Sequence, residues 1–152
     1  MGTDCISKLV EEVYRTQLKL FMGHVRKIIV NGQVLLEVDY SNANGDQMIA
    51  LLKEAAEIVR SENEKVLILS CFNRKNFVTP DFIRNAEAEV GQLKHLITKQ
   101  AIVGLSFTQE IILKGLNIFL QRNFKSFKTR DDAIQYLLDN STEADLPDYY
   151  KR

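Results

Sequence analysis

The sequence predicts an α/β domain with a mixed, mostly parallel five-stranded sheet, and three observations carry that expectation. Asn31-Gly32 stands between two apolar runs, Val25 to Val30 and Gln33 to Tyr40. Two further runs, Val66 to Cys71 and Ala101 to Leu105, have strand length and no polar face. Between the runs lie segments with apolar residues at helical spacing, several opened by a capping residue. Strands alternating with helices imply crossovers and parallel pairing, and the hairpin adds one antiparallel edge.

Each element has its own signal. Cys5 to Phe21 reads as an amphipathic helix: Ile6, Leu9, Val10, Val13, Leu18, Leu20 and Phe21 oppose Lys8, Glu11, Glu12 and Arg15. Gly23 breaks it. Asn-Gly suits a type I′ turn because both central residues need positive φ. In the second strand Val34, Leu36, Val38 and Tyr40 share one face, leaving Leu35, Glu37 and Asp39 on a face expected to be partly wet. A turn cluster from Ser41 to Gly45 leads into a helix to Ser61, with Met48, Leu52, Ala55 and Val59 inward. Thr79-Pro80-Asp81 is a well-formed helix start, followed by Phe82, Ala86, Val90, Leu93 and Ile97 on one side. Ser106 and Gln109 have capping-box spacing before an apolar helix with Ile112, Leu116, Phe119 and Leu120. Phe124 to Phe127 is the fifth strand. Thr129 and Asp132 then open a last helix with Ala133, Leu137 and Leu138 inward.

The totals fit one domain of ordinary composition: 152 residues, 45% hydrophobic and 26% charged. We divide the chain into a helical extension over 1–22, a domain over 23–139 and a polar, mobile tail over 140–152. Twenty basic residues balance twenty acidic ones, so no electrostatic footprint for nucleic acid is expected. No apolar run approaches the ~20 residues of a membrane helix. Two cysteines make no disulfide framework, and acids interrupt the apolar N-terminus where a signal peptide has none. The expected location is the cytoplasm.

Three stretches together make the pattern more specific. They are Ile28 to Val30 with Asn31-Gly32 and Val38-Asp39-Tyr40-Ser41; Ala101-Ile102-Val103-Gly104-Leu105 before an apolar helix; and Phe127 before a capped Ala133…Tyr136-Leu137 helix. In this order they resemble the SpoIIAA-like family, a relative of the STAS domains often grouped with Sec14-type lipid-binding folds. The resemblance covers about Val25 to Asp139. It implies a mixed sheet with flanking helices and a non-enzymatic role. One departure is plain: anti-anti-sigma factors of the STAS type carry a phosphorylated serine in an Asp-Ser-(Ser/Thr)-Gly-Leu motif after the third strand. Here Phe72 to Pro80 contains no serine, and Thr79 is the nearest positional match. The resemblance therefore carries no phosphorylation switch to this chain.

In open α/β sheets ligands bind beyond the carboxyl ends of the parallel strands. Three loops qualify, and they give the candidate residues Asp39, Tyr40, Ser41, Asn73, Arg74, Lys75, Phe77, Thr79, Ser106, Phe107 and Thr108. Helix N-termini at this edge favour an anion. Simpler readings compete: capping accounts for Thr79 and Ser106, Arg74 and Lys75 suit a solvated loop, and Asp39 bonds its own turn. Cys71 follows a buried strand, and His24 and His95 lack metal-ligand spacing. No phosphate loop, nucleophile elbow or dinucleotide fingerprint is present, and no cofactor or metal is expected.

Two functions of different class follow. One is an interaction or signalling module that engages another protein through the loop edge and the helix beginning at Thr79. The other is a carrier for an apolar small molecule, suggested by the Phe and Leu of the last two helices. An enzyme using Asp39 with Cys71 or Ser106 is the remote third. A homodimer fits any of them. If the crossover helices cover one face of the sheet, the N-terminal helix should hide the other, on its own domain or on a partner copy.

Overall fold

The computed structural model describes residues 5–13 and 23–139. The expected tail over 140–152, and the half of the N-terminal helix holding Leu18, Leu20 and Phe21, lie outside them. Helix α1 covers residues 5–13. Strands β1 (His24–Val30) and β2 (Gln33–Asp39) form the hairpin, followed by α2 (Gly45–Ser61), β3 (Val66–Cys71) and α3 (Pro80–Leu93). A 3-10 turn, Lys94–Leu96, leads into β4 (Ile97–Val103), and α4 (Phe107–Leu120), β5 (Lys125–Phe127) and α5 (Arg130–Leu138) follow.

Asn31 and Gly32 both take positive φ, 50° and 78°, as the two-residue turn requires. The turn sets the register at once: Val30 faces Gln33, Arg26 faces Glu37 and His24 faces Asp39. The remaining strands are parallel, in the order β1-β2-β3-β4-β5. Each crossover advances one strand in the same direction, so crossovers of one hand place α2, α3 and α4 on one face. Their Met48, Val59, Phe82, Leu113 and Leu120 pack there on Leu36, Val38, Ile68 and Ile102.

The opposite face is where sequence and structure part. Leu35, Leu69 and Ala101 are covered by Ala133 and Leu137 of α5, so β2 is buried on both faces instead of wet on one. Among the described residues the covering element is thus the nine-residue helix α5, not α1. In α1 the stripe Ile6, Leu9, Val10 and Val13 is 56–63% exposed. α5 is pinned at both ends by charges. Arg130 reaches Glu37 on β2, and the Lys99 ammonium donates to the carbonyls of Tyr136 and Asp139 at 3.1 and 2.6 Å. A cation on the last carbonyls of a helix complements its dipole.

Two boundaries also move. Ile97 belongs to β4 instead of α3, because the chain turns at Lys94–Leu96 and Arg122 caps the carbonyls of Lys94, Ile97 and Thr98. On α4 the buried positions are Leu113 and Leu120, while Phe119 points outward. Ile112 and Leu116 are half-buried. The apolar residues run most of the way round this helix, so periodicity alone could not choose its inner face.

Candidate functional site

The three loops at the carboxyl ends of β2, β3 and β4 meet along one edge, and backbone bonds hold their bases together. Tyr40 N donates to Cys71 O and Phe72 N to Val103 O, each at 2.8 Å. Gly104 then lets the third loop approach the second: at φ +87°, a Cβ there would stand 2.0 Å from Phe72 O. Asparagines complete the platform. Buried Asn76 donates to the carbonyls of Tyr40 (2.7 Å) and Ala43 (3.1 Å), and its own Oδ1 accepts from Asn73 N at 2.8 Å. Asn73 and Asn42 pair through Asn73 Nδ2 to Asn42 Oδ1 at 2.9 Å and Asn42 N to Asn73 Oδ1 at 3.2 Å. Gln109 Nε2 donates to Asn76 O at 3.2 Å, which ties the third loop to the other two.

The candidates divide on this platform. Phe77 and Phe107 are 75% and 79% exposed. Arg74 and Lys75 are exposed beside Phe77 in the same loop, and Thr108 is exposed after Phe107. Asn73 belongs to the framework, and the Ser41 amide donates to Asp39 Oδ1 at 2.9 Å, so Asp39 does bond its own turn. Thr79 accepts from Phe82 N at 3.1 Å and Ser106 from Gln109 N at 3.2 Å, so both hydroxyls cap helices. Tyr40 is a core residue instead of a surface one: its ring stacks on Phe72 at 4.7 Å and meets Phe82 edge-on, and burial pushes its hydroxyl pKa upward. The N-termini of α2, α3 and α4 all open here, each capped by a side chain and followed by Asp46, Asp81 or Glu110. Those caps and acids occupy the donors and the field that an anion would use.

Sequence reasoning passed over a second polar group on the α5 face. Glu37 is 3% exposed, yet His24 Nε2 and Arg26 Nε donate to its Oε1 at 3.0 and 2.8 Å, and Arg130 Nη2 to its Oε2 at 2.5 Å. Burial pushes this carboxyl up, and the bonds from Arg130, His24 and Arg26 outweigh it, holding its pKa below the ordinary value. Burial, then the charges of Asp39 and Glu37, pushes the Cys71 thiol up to about 12, the opposite of an activated nucleophile. Among the described residues no three His, Cys, Asp or Glu side chains converge as metal ligands do. Nor is any described helix long and apolar enough to cross a membrane.

Neither a family model nor a curated protein matches this chain. Among solved structures, it is similar to an uncharacterized protein of the DUF3478 family from Shewanella loihica PV-4, described as having a SpoIIAA-like fold. The TM-score is 0.58 at 12% identity, over 76% of this chain and 93% of that one. The chain has a SpoIIAA-like fold. The likeness lends nothing to a Sec14-type kinship. Within this SpoIIAA-like fold the strand order never reverses, so no crevice opens between diverging crossovers as it does in doubly wound sheets. The loop edge of the SpoIIAA-like domain is therefore a knitted surface with two aromatic side chains standing on it.

Proposed function

We propose that this chain is a non-enzymatic, cytoplasmic protein-interaction module, of the signalling kind found among STAS relatives, and that it engages another protein through its loop edge. One observation carries the reading. Phe77, on the second loop, and Phe107, the first residue of α4, are exposed beside the Asn42, Asn73, Asn76 and Gln109 hydrogen bonds, with Arg74 and Lys75 next to Phe77. Exposed aromatics and arginine supply most of the binding energy at protein interfaces. A platform already ordered in the free protein also loses less entropy on binding. The apolar carrier has weaker support. The space between α2, α3 and the sheet is about 40 Å³, below the several hundred Å³ of ligand pockets. The larger hollow beside α5, about 1080 Å³ and lined by Val30, Phe127, Ile134 and Tyr136, is an open groove that also carries Asp131, Asp132 and Asp139.

The test is affinity capture from native lysate with wild type and an Arg74→Ala/Phe77→Ala double variant. Both substitutions are on exposed residues, so the variant should fold. At least one protein retained by wild type should be lost with the variant. Identical capture profiles would remove the loop edge as the binding face.

A further inference from the structure

The outward face of α4 carries a second surface, separate from the Arg74–Phe77 loop. Phe107, Ile111, Ile118 and Phe119 are 54–80% exposed. At 100° per residue these four, with Thr108, Ile112 and Gly115, occupy one continuous arc that holds no charge. The two charges of the helix, Glu110 and Lys114, lie on its flank, where Glu110 accepts from Ser126 Oγ at 3.1 Å. A surface helix ordinarily turns a polar face to water; here the apolar arc is exposed beside the two exposed charges.

Gly115 sits at the centre of the arc, four residues after Ile111 and four before Phe119. Glycine inside a helix is destabilising relative to any ordinary helix former. Among the described residues nothing demands it, since a Cβ at Gly115 would meet no atom of theirs within 4 Å. A close approach by another backbone would demand it. The arc is also nearly symmetric about Gly115, so an antiparallel copy would set Ile111 against Phe119 and Phe119 against Ile111. Such a self-complementary patch is what a twofold interface requires. The area fits as well. At about 200 Å² for each large side chain, the four residues leave roughly 500 Å² uncovered per copy. Two copies would bury roughly 1,000 Å², the size at which specific interfaces begin.

We propose that α4 is the self-association surface of the chain, pairing antiparallel with α4 of a second copy across a twofold axis beside Gly115. The pairing shares Phe107 and Thr108 with the loop edge and leaves Arg74 and Phe77 outside it. The two readings therefore fail separately.

Sedimentation of the full chain from micromolar to sub-millimolar concentration tests this, with Ile118→Asp, Gly115→Gln and Leu9→Asp variants beside wild type. Wild type should form a dimer. Ile118→Asp, at an 80% exposed position, should raise the dissociation constant by at least about tenfold. Gly115→Gln should weaken the dimer equally while raising the thermal midpoint of the dilute monomer, which separates an interface glycine from a merely misfolded variant. Leu9→Asp should leave the dimer intact. A wild type that stays monomeric throughout overturns the proposal, as does a dimer indifferent to Ile118→Asp. Loss of the dimer in Leu9→Asp overturns it too, because α1 would then be the contact or the occupant of α4.

Discussion

At the scale of the residue, Glu37 joins parts of the chain that are far apart in sequence. It bonds Arg26 across the hairpin and Arg130 at the start of α5, 93 residues away. Both arginines are half-exposed, with side chains 57% and 47% accessible, so solvent screening tempers the energy. Glu37→Gln should therefore cost about 2 kcal/mol at neutral pH, below the range for a wholly buried pair. Because the folded pKa lies below the ordinary value, this stabilisation is complete above the unfolded pKa, near ~4.3, and fades as pH falls through the folded value. Urea unfolding should then show the gap between wild type and Glu37→Gln closing as the solution is acidified below about pH 4. A gap of constant size would mean that the carboxylate charge is not what holds α5. Half of this network was legible. The Asn31-Gly32 turn fixes Arg26 opposite Glu37 by counting, but nothing local announces Arg130.

Elements are legible in the sequence where local chemistry defines them. Caps at Thr79, Ser106 and Thr129 and the turn at Asn31-Gly32 fall where the residues say, because a cap satisfies donors within three residues of itself. These hydroxyls are explained by that role. Thr79→Ala and Ser106→Ala should each lower stability by about 1 kcal/mol and leave protein capture unchanged. Capture lost in Thr79→Ala, with the protein still folded, would assign that hydroxyl a further role. Faces are less legible. The inner side of α4 and the covered side of β2 depend on which other element arrives, and Leu35 looks the same in a wet face as beneath α5. Asn73 marks a turn, bonding Lys75 N as turn asparagines do, but nothing local says that the Asn76 amide reaches back to the first loop, 36 residues away.

At the scale of the whole molecule, the described residues form a singly wound sheet whose second face is closed by α5. That arrangement leaves α1 with no covering task. A chain lacking residues 1–13 should unfold within about 0.5 kcal/mol of the full chain, as substitutions at exposed positions do. Chemical denaturation measures this directly, and a larger loss would return a covering role to α1. The sequence by itself determined the alternation of strands and helices, the hairpin and its register, the helix starts and the edge where the loops gather. Each of these follows from contacts or backbone preferences within a few residues. Only the tertiary structure decided that α5 covers the second face, that Glu37 is buried among arginines, that Tyr40 is core, and that Ile111, Ile118 and Phe119 of the α4 arc face solvent. Those outcomes depend on partners tens of residues away, and apolar residues carry no mark of whether their neighbour will be another helix, water or a second molecule.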